Sequence, residues 1–450
     1  MKREIFSFST FATALVVAIM LAGFCQAQSS VLVAQTVAPE AEAEEAEAGA
    51  VVDTGAQSEE PKVVLTYVEA EPSIKVGGWI QAGGWANEHG NPEWVENGPL
   101  STNVQNTGIH AQQVWLFAER EVDTTYGADW GFRADLAYGS EMTDAQSWAD
   151  GSFDGKWGYS GDGYALAMPR LYFEMGYENF RLKLGKFDTP LGYEVMDAPE
   201  NVLFSHSHMY SREPLTHTGA LLTWDATDRL SMSFGVTTGP DTGFENEYGD
   251  YGGLFSVTYQ LTNKVSIGYA AMYNRLHGGE ERPWTDLVDC SYPSYGYGYY
   301  TDANQFLQTF LFQWDITCRL SYVFQCNYGF AEARDVWDGE GHANVYNQVG
   351  INNTFLYQAT DRLELAARFE WFRQDAGDMS NVDNVSSGTQ TWYSVSLGAR
   401  YKICENLTIN PEVRYDWVFD NEYDYYPSGF GREMAEDTQL SGGASLVWTF

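Results

Sequence analysis

The chain has 450 residues, with 62 Asp and Glu against 25 Lys and Arg, for a formal net charge of −37. That balance excludes nucleic acid as a partner, because phosphate binding needs a basic footprint. Aromatic residues reach 15%, and beyond the N-terminus no apolar run is long enough for a membrane helix.

In chain order, residues 1–27 read as a secretory signal peptide. Lys2 and Arg3 precede an apolar stretch from Phe11 to Phe24, and Cys25-Gln26-Ala27 offers a small-x-small-type cleavage site. A membrane anchor fits less well, since the apolar core is short and no basic flank follows. Lipidation at Cys25 is disfavoured by the bulky Phe24 before it. Residues 28–72 form an acidic Ala/Glu/Pro-rich leader, including Pro39-Glu40-Ala41-Glu42-Ala43-Glu44-Glu45-Ala46-Glu47. Such a segment cannot bury enough apolar surface to offset chain entropy, so a disordered periplasmic leader is expected, with a transient helix as the alternative.

From residue 73 to 450 strand-like segments come in pairs. Tight polar links fall at 123–129, 177–179, 225–229, 260–264, 314–319, 358–362 and 402–406; longer insertions fall near 87–108, 140–166, 187–215, 240–251, 276–303, 331–344, 374–390 and 420–437. Seven short and eight long connections imply sixteen strands with both chain ends on the short-turn side. Loop length segregated by parity is the layout of a transmembrane antiparallel β-barrel. The strands alternate accordingly. Tyr393, Val395, Leu397, Ala399 and Tyr401 share one face, and Ser394, Ser396, Gly398 and Arg400 the other. Residues 109–121 admit either phase. Across the strands one face is expected to be apolar toward lipid and the other small or polar toward water.

Tyr177, Trp224, Tyr259, Trp314, Tyr357 and Tyr401 fall on the apolar face at or just before short turns. Amphipathic rings at one level predict an aromatic girdle at a headgroup boundary. Cys290, Cys318, Cys326 and Cys404 match no zinc spacing and are too sparse for a disulfide scaffold. The last strand places Leu446, Trp448 and Phe450 on one face, which looks like the terminal signal read by barrel assembly machinery.

The segment Gly185-Lys186-Phe187-Asp188-Thr189-Pro190-Leu191-Gly192-Tyr193-Glu194, followed by Pro214-Leu215-Thr216-His217-Thr218-Gly219, resembles the outer-membrane β-barrel porins of the porin-2, OmpL-like family. It is distantly similar to phosphate-selective porins. The resemblance spans most of 74–450 in layout, while its specific motifs are confined to these two segments. It implies a non-enzymatic channel for passive diffusion of small hydrophilic solutes and ions. The expected location is an outer membrane, with membrane lipid around the wall, no cofactor, and the trimerisation common among similar porins.

The residues themselves point to a constriction. The third long loop carries Asp188, Glu194, Asp197, Glu200 and Glu213, and the preceding strands carry Arg133, Arg170, Arg181 and Lys183 on the polar face. A charge facing lipid at mid-bilayer costs about 2–4 kcal/mol, so these belong in the lumen. The expected arrangement is an inward-folded loop whose carboxylates face a basic ladder across a narrowed water path; the alternative leaves the loop outside with its charges solvated. Lys186 breaks the alternation: either Gly185 marks a bulge that re-aims it, or strand and loop already part there. His206, His208 and His217 lack a recognised metal spacing, and no Ser/His/Asp set stands out for hydrolysis. Acidic outer loops suggest a vestibule that concentrates cations, with weak Ca²⁺ or Mg²⁺ binding as a further option. Three rivals remain: a substrate-specific channel for a sugar or oligophosphate, an outer-membrane hydrolase, and a sealed structural barrel.

Overall fold

The computed structural model describes residues 74–89, 109–147, 153–157, 163–246, 251–277, 302–334, 342–376, 388–419 and 436–450. The signal peptide, the leader and Cys290 lie outside these residues. The strands are β1 Lys75–Asn87, β2 His110–Arg120, β3 Asp129–Gly139, β4 Ala165–Ala167, β5 Leu171–Tyr177 and β6 Phe180–Asp188. They continue as β7 Thr216–Thr227, β8 Leu230–Pro240, β9 Gly252–Thr262, β10 Val265–His277, β11 Asp302–Asp315 and β12 Leu320–Arg334. The remainder are β13 His342–Thr360, β14 Leu363–Ala376, β15 Gly388–Cys404, β16 Leu407–Phe419 and β17 Thr438–Thr449.

Apart from β4, each strand pairs antiparallel with its successor, and β1 pairs with both β2 and β17, so the sheet closes on itself. Both β4 and β5 pair with β3. They are one wall strand interrupted at Met168-Pro169-Arg170, where Pro169 has no N–H to give the ladder. The wall is therefore a sixteen-strand antiparallel barrel. All seven short links are turns between paired strands, five of them two residues long, as at Glu178-Asn179 and Asp228-Arg229. The link expected at 331–344 is shorter, because β12 and β13 run on to Arg334 and back from His342.

The period-two faces behave as expected on the outside. Val236 (58% exposed) and Leu397 (61%) point outward, whereas Ser394 and Ser396 are fully buried inside. Tyr177, Tyr259, Trp314, Tyr357 and Tyr401 are exposed beside short turns, and Trp224 stacks on Phe180 with ring centroids 6.0 Å apart. The inside needs a correction. Leu221, Leu254, Ala270, Met272 and Leu307 face inward and are buried under Phe187 and Leu191. The lumen wall is apolar there because a loop covers it.

A second correction concerns Gly185. No residue is inserted: Tyr172 pairs with Gly185 and Leu171 with Lys186 in unbroken register. The glycine instead adopts φ +135°, open to a residue without a Cβ, and both Lys186 and Phe187 are buried after it. Cys318, Cys326 and Cys404 are free thiols.

Closure of the ring is tight. Gly78 and Phe450 exchange two backbone hydrogen bonds of 3.0 Å. A Cβ on Gly78 would lie 2.1 Å from the Trp115 carbonyl oxygen and 2.8 Å from the Phe450 ring. Gly78→Val should therefore lower stability by about 1–3 kcal/mol through overpacking, seen as a lower urea midpoint of the detergent-folded barrel; an unchanged midpoint would contradict this account of the seam.

Candidate constriction site

Beyond β6 the chain runs through residues 189–215 before re-entering the wall at β7. It does not leave the barrel mouth: its partners lie on wall strands far around the ring. The Tyr193 N–H donates to Gln325 Oε1 of β12 at 3.1 Å. Gln113 of β2 donates to the Met196 carbonyl at 2.7 Å and accepts from the Ala198 N–H at 3.3 Å. Arg400 of β15 and Asn410 of β16 donate to the Asn201 carbonyl, and Asn410 to that of Val202. Met209 packs into a cluster with Phe372, Trp392 and Val418. The loop crosses the lumen.

Charge fixes its middle. Arg368 of β14 pairs with Glu194 and donates to the Ser205 carbonyl at 2.9 Å. Glu412 of β16 accepts from the Ser205 N–H at 2.8 Å and its hydroxyl at 2.6 Å. Glu370 of β14 accepts the N–H groups of His208 and Met209, each at 2.7 Å. Arg414 donates to the His206 carbonyl at 2.5 Å and pairs with Asp416 at 2.8 Å. His208 Nε2 lies 3.1 Å from Asp416 Oδ1. His206 stacks on Tyr210 at 3.9 Å, with Nδ1 3.7 Å from Glu194 Oε2.

The anticipated site residues are only partly brought together. Arg170 gathers Asp188, Asp197 and Asp135 at 2.7, 2.7 and 2.8 Å. Arg133 is held by Glu119 and Asp135, both at 2.8 Å. Arg181 does not face the loop: it pairs with Asp225 at 2.8 Å beside a short turn. Lys183 lies over the Tyr172 ring at 4.7 Å. The Glu200 N–H donates to the Asp197 carbonyl, and its carboxylate acts on Arg400. Lys186 is fully buried against Ser147 at 3.0 Å and Asp154 at 3.4 Å. His217 is fully buried in β7 with neither ring nitrogen bonded. Among the described residues no group of three His, Cys, Asp or Glu side chains is arranged to hold a metal.

Loop carboxyls are shifted both ways. Burial opposes ionisation of Glu194, yet the Arg368 guanidinium and His206 outweigh it and hold this carboxyl well below the usual range. Burial pushes Glu213 up to about 8 despite donors from Asn327 and Gln325. Burial, reinforced by Glu141, pushes Asp144 to about 7, and burial pushes Asp241 to about 6 against the Thr216 N–H.

The profile of the family described as "Putative beta-barrel porin-2, OmpL-like" matches residues 73–450. The chain belongs to this family. Among solved structures it is similar to the outer-membrane channel DcaP of Acinetobacter baumannii, at 11% identity and TM-score 0.53, covering 84% of this chain and 97% of that one. It is also similar to an anion-selective porin from Comamonas acidovorans, at 8% identity and TM-score 0.53, covering 84% and 99%. OmpT of Vibrio cholerae in its trimer form gives 12% identity and TM-score 0.51, covering 84% and 99%. No curated protein matches the chain. This porin is an outer-membrane channel for passive diffusion of small solutes.

The residues that hold the porin's loop from the far wall, Arg368, Glu370, Glu412, Arg414 and Asp416, are absent from the sequence-based set. The signal was present: Arg368 and Glu370, and Glu412, Arg414 and Asp416, repeat at spacing two on the inward parity. Removing one partner of a buried pair typically costs about 3–5 kcal/mol, mostly from the charge left behind. Arg368→Met should release the loop by that amount, read as a larger single-channel conductance and protease cleavage within 189–215.

The raised carboxyls set a pH dependence. Glu213, Asp144 and Asp241 bind protons more tightly folded than unfolded, so their contribution is full below about pH 4 and is lost as pH rises through 6 to 8. Glu194 runs oppositely: its contribution is present above about pH 4.5 and lost on acidification. The urea midpoint in detergent should fall from pH 5 to pH 9, and Glu213→Gln should flatten the upper part of that slope.

Proposed function

We propose that loop 189–215 forms the constriction of a diffusion pore that prefers cations. The observation that carries this reading is the pairing of the lumenal bases. Arg133, Arg170, Arg368 and Arg414 are each clamped by carboxylates, so the basic ladder presents little free positive charge. Arg133 and Arg170, two guanidinium groups, together face four acids, Glu119, Asp135, Asp188 and Asp197. The residual field is negative, and a water path with low-dielectric walls focuses it. A specific oligophosphate channel is less well supported, because it needs guanidinium groups free to meet phosphate.

The same reading assigns the exposed aromatic row beside the short turns to the periplasmic headgroup boundary. Leu446, Trp448 and Phe450 become the assembly signal, residues 1–27 the export signal, and 28–72 a periplasmic leader. A homotrimer is supported by the trimer form of the Vibrio cholerae relative.

Planar-bilayer recording across a KCl gradient tests the charge assignment. The reversal potential should take the sign of cation preference, with a K⁺ to Cl⁻ permeability ratio above about 2; a preference for chloride would overturn it.

A further inference from the structure

A second segment enters the lumen beside loop 189–215. After β3 the chain keeps to the ladder for two more residues, the N–H groups of Ser140 and Glu141 donating to the Ala111 and Gln112 carbonyls at 3.1 and 3.3 Å. It then makes one helical turn, Met142–Ala145. Met142 and Ala145 are buried in one cluster with Trp79, Trp115 and Val447, inward side chains of β1, β2 and β17, and with Met196 of the loop. Gln113 of β2 donates both to Glu141 Oε2 at 2.6 Å and to the Met196 carbonyl at 2.7 Å. Lys186, at the end of β6, ties the turn down. Fully buried, it donates from Nζ to Ser147 Oγ at 3.0 Å and to the Ala145 carbonyl at 3.4 Å, and lies 3.4 Å from Asp154 Oδ2. Asp154, also fully buried, accepts the N–H groups of Ser147 and Met168, each at 2.8 Å. A second carboxylate acts on Lys186 from just beyond β8: Asp241, which accepts the N–H groups of Leu215 and Thr216 at 2.9 and 2.8 Å where the loop rejoins the wall.

We propose that the turn Met142–Ala145 is a second constriction element, latched inside the barrel by Lys186, so that the pore's width is set from two sides. The apolar cluster gives the turn its seat, and the ammonium group caps its last carbonyl, as a lysine does at a helix end. The Lys186–Asp154 pair adds little net stability, but losing one partner leaves an uncompensated buried charge, so the pair holds one arrangement. The break in parity after Gly185 now has a purpose. With the glycine at φ +135°, two adjacent residues both turn into the protein, Lys186 onto the helical turn and Phe187 under the loop. Lys186 is a positioning residue and meets no solute. The inference rests on the diffusion-pore reading for its readout, and not on the preference for cations.

Single-channel recording of the full chain in planar bilayers, with polyethylene glycols of graded size to find the largest that enters, tests the proposal. Lys186→Met should raise conductance by about 1.5-fold or more and admit larger polymers, because conductance follows the open cross-section. Adding Asp154→Asn to Lys186→Met removes both charges, and the double variant should stay closer to the unaltered channel than the single one. Met142→Asp leaves the wall strands untouched and drives the turn off its apolar seat; it should widen the pore likewise. Should Lys186→Met fail to fold, judged by heat-modifiable migration on gels, Met142→Asp decides. Unchanged conductance and polymer limit in either folded single variant, or a double variant as open as Lys186→Met, would each overturn the proposal. The two readings fail separately: widening in a chloride-preferring pore loses only the charge assignment, and a cation-preferring pore that does not widen loses only the second element.

Discussion

Hydrocarbon offers no hydrogen-bond partner, so every backbone group inside a bilayer has to be paired by the chain itself. In this protein that requirement is met at the seam where β1 joins β17 and Phe450 closes against Gly78. Once the ring is closed, each strand has one face in lipid and one in the lumen, and the placement of every side chain reduces to parity. Charged groups, costly on the lipid face, are driven inward together. The crowding of Arg, Asp and Glu inside the wall follows from closure.

An irregular loop crossing that interior meets the same difficulty at smaller scale, because its peptide groups lose water without a strand to pair with. Side chains answer, from the wall and from Glu194 of the loop itself. Glu412, Glu194 and Glu370 accept the N–H groups of Ser205, Ser207, His208 and Met209. Arg400, Asn410, Arg368 and Arg414 donate to the carbonyls of Asn201, Val202, Ser205 and His206. Glu194 and Glu412 thus serve as backbone caps as well as ion-pair partners of Arg368. Buried ion pairs add little net stability, since desolvation offsets the attraction, but breaking one is expensive. Their effect here is to hold one path for the loop across the lumen.

Much of this was legible from residue patterns. Turn and loop lengths gave the strand number, alternation gave the outer face, and the carboxylates of 187–215 pointed to an inward fold. Arg170 does meet Asp188 and Asp197. Arg181 and Lys183 were grouped with it because they share its parity, yet they sit lower on the wall, where Arg181 finds Asp225. Parity fixes which way a side chain points; it does not fix height along the barrel or which strands stand across the ring. Those depend on stagger and closure, so Arg368 and Arg414 were invisible as partners of a loop 163 or more residues earlier in the chain. The apolar patch of Leu221, Leu254 and Met272 was hidden for a related reason: its inward parity becomes favourable only under Phe187 and Leu191.

The electrostatic reading turns on the same distinction between having a charge and presenting it. A row of Arg on the lumenal face, taken alone, suggests an attraction for anions. Here Arg170 is surrounded by three carboxylates and Arg133 by two, which leaves the cluster with more negative than positive groups. The guanidinium ions are spent on structure, holding the loop and one another's acids in place. Between them Arg133 and Arg170 face four acids, Glu119, Asp135, Asp188 and Asp197. Selectivity in such a lumen therefore follows the remainder after pairing, and two barrels of equal net charge could prefer opposite ions if their clamps were drawn differently.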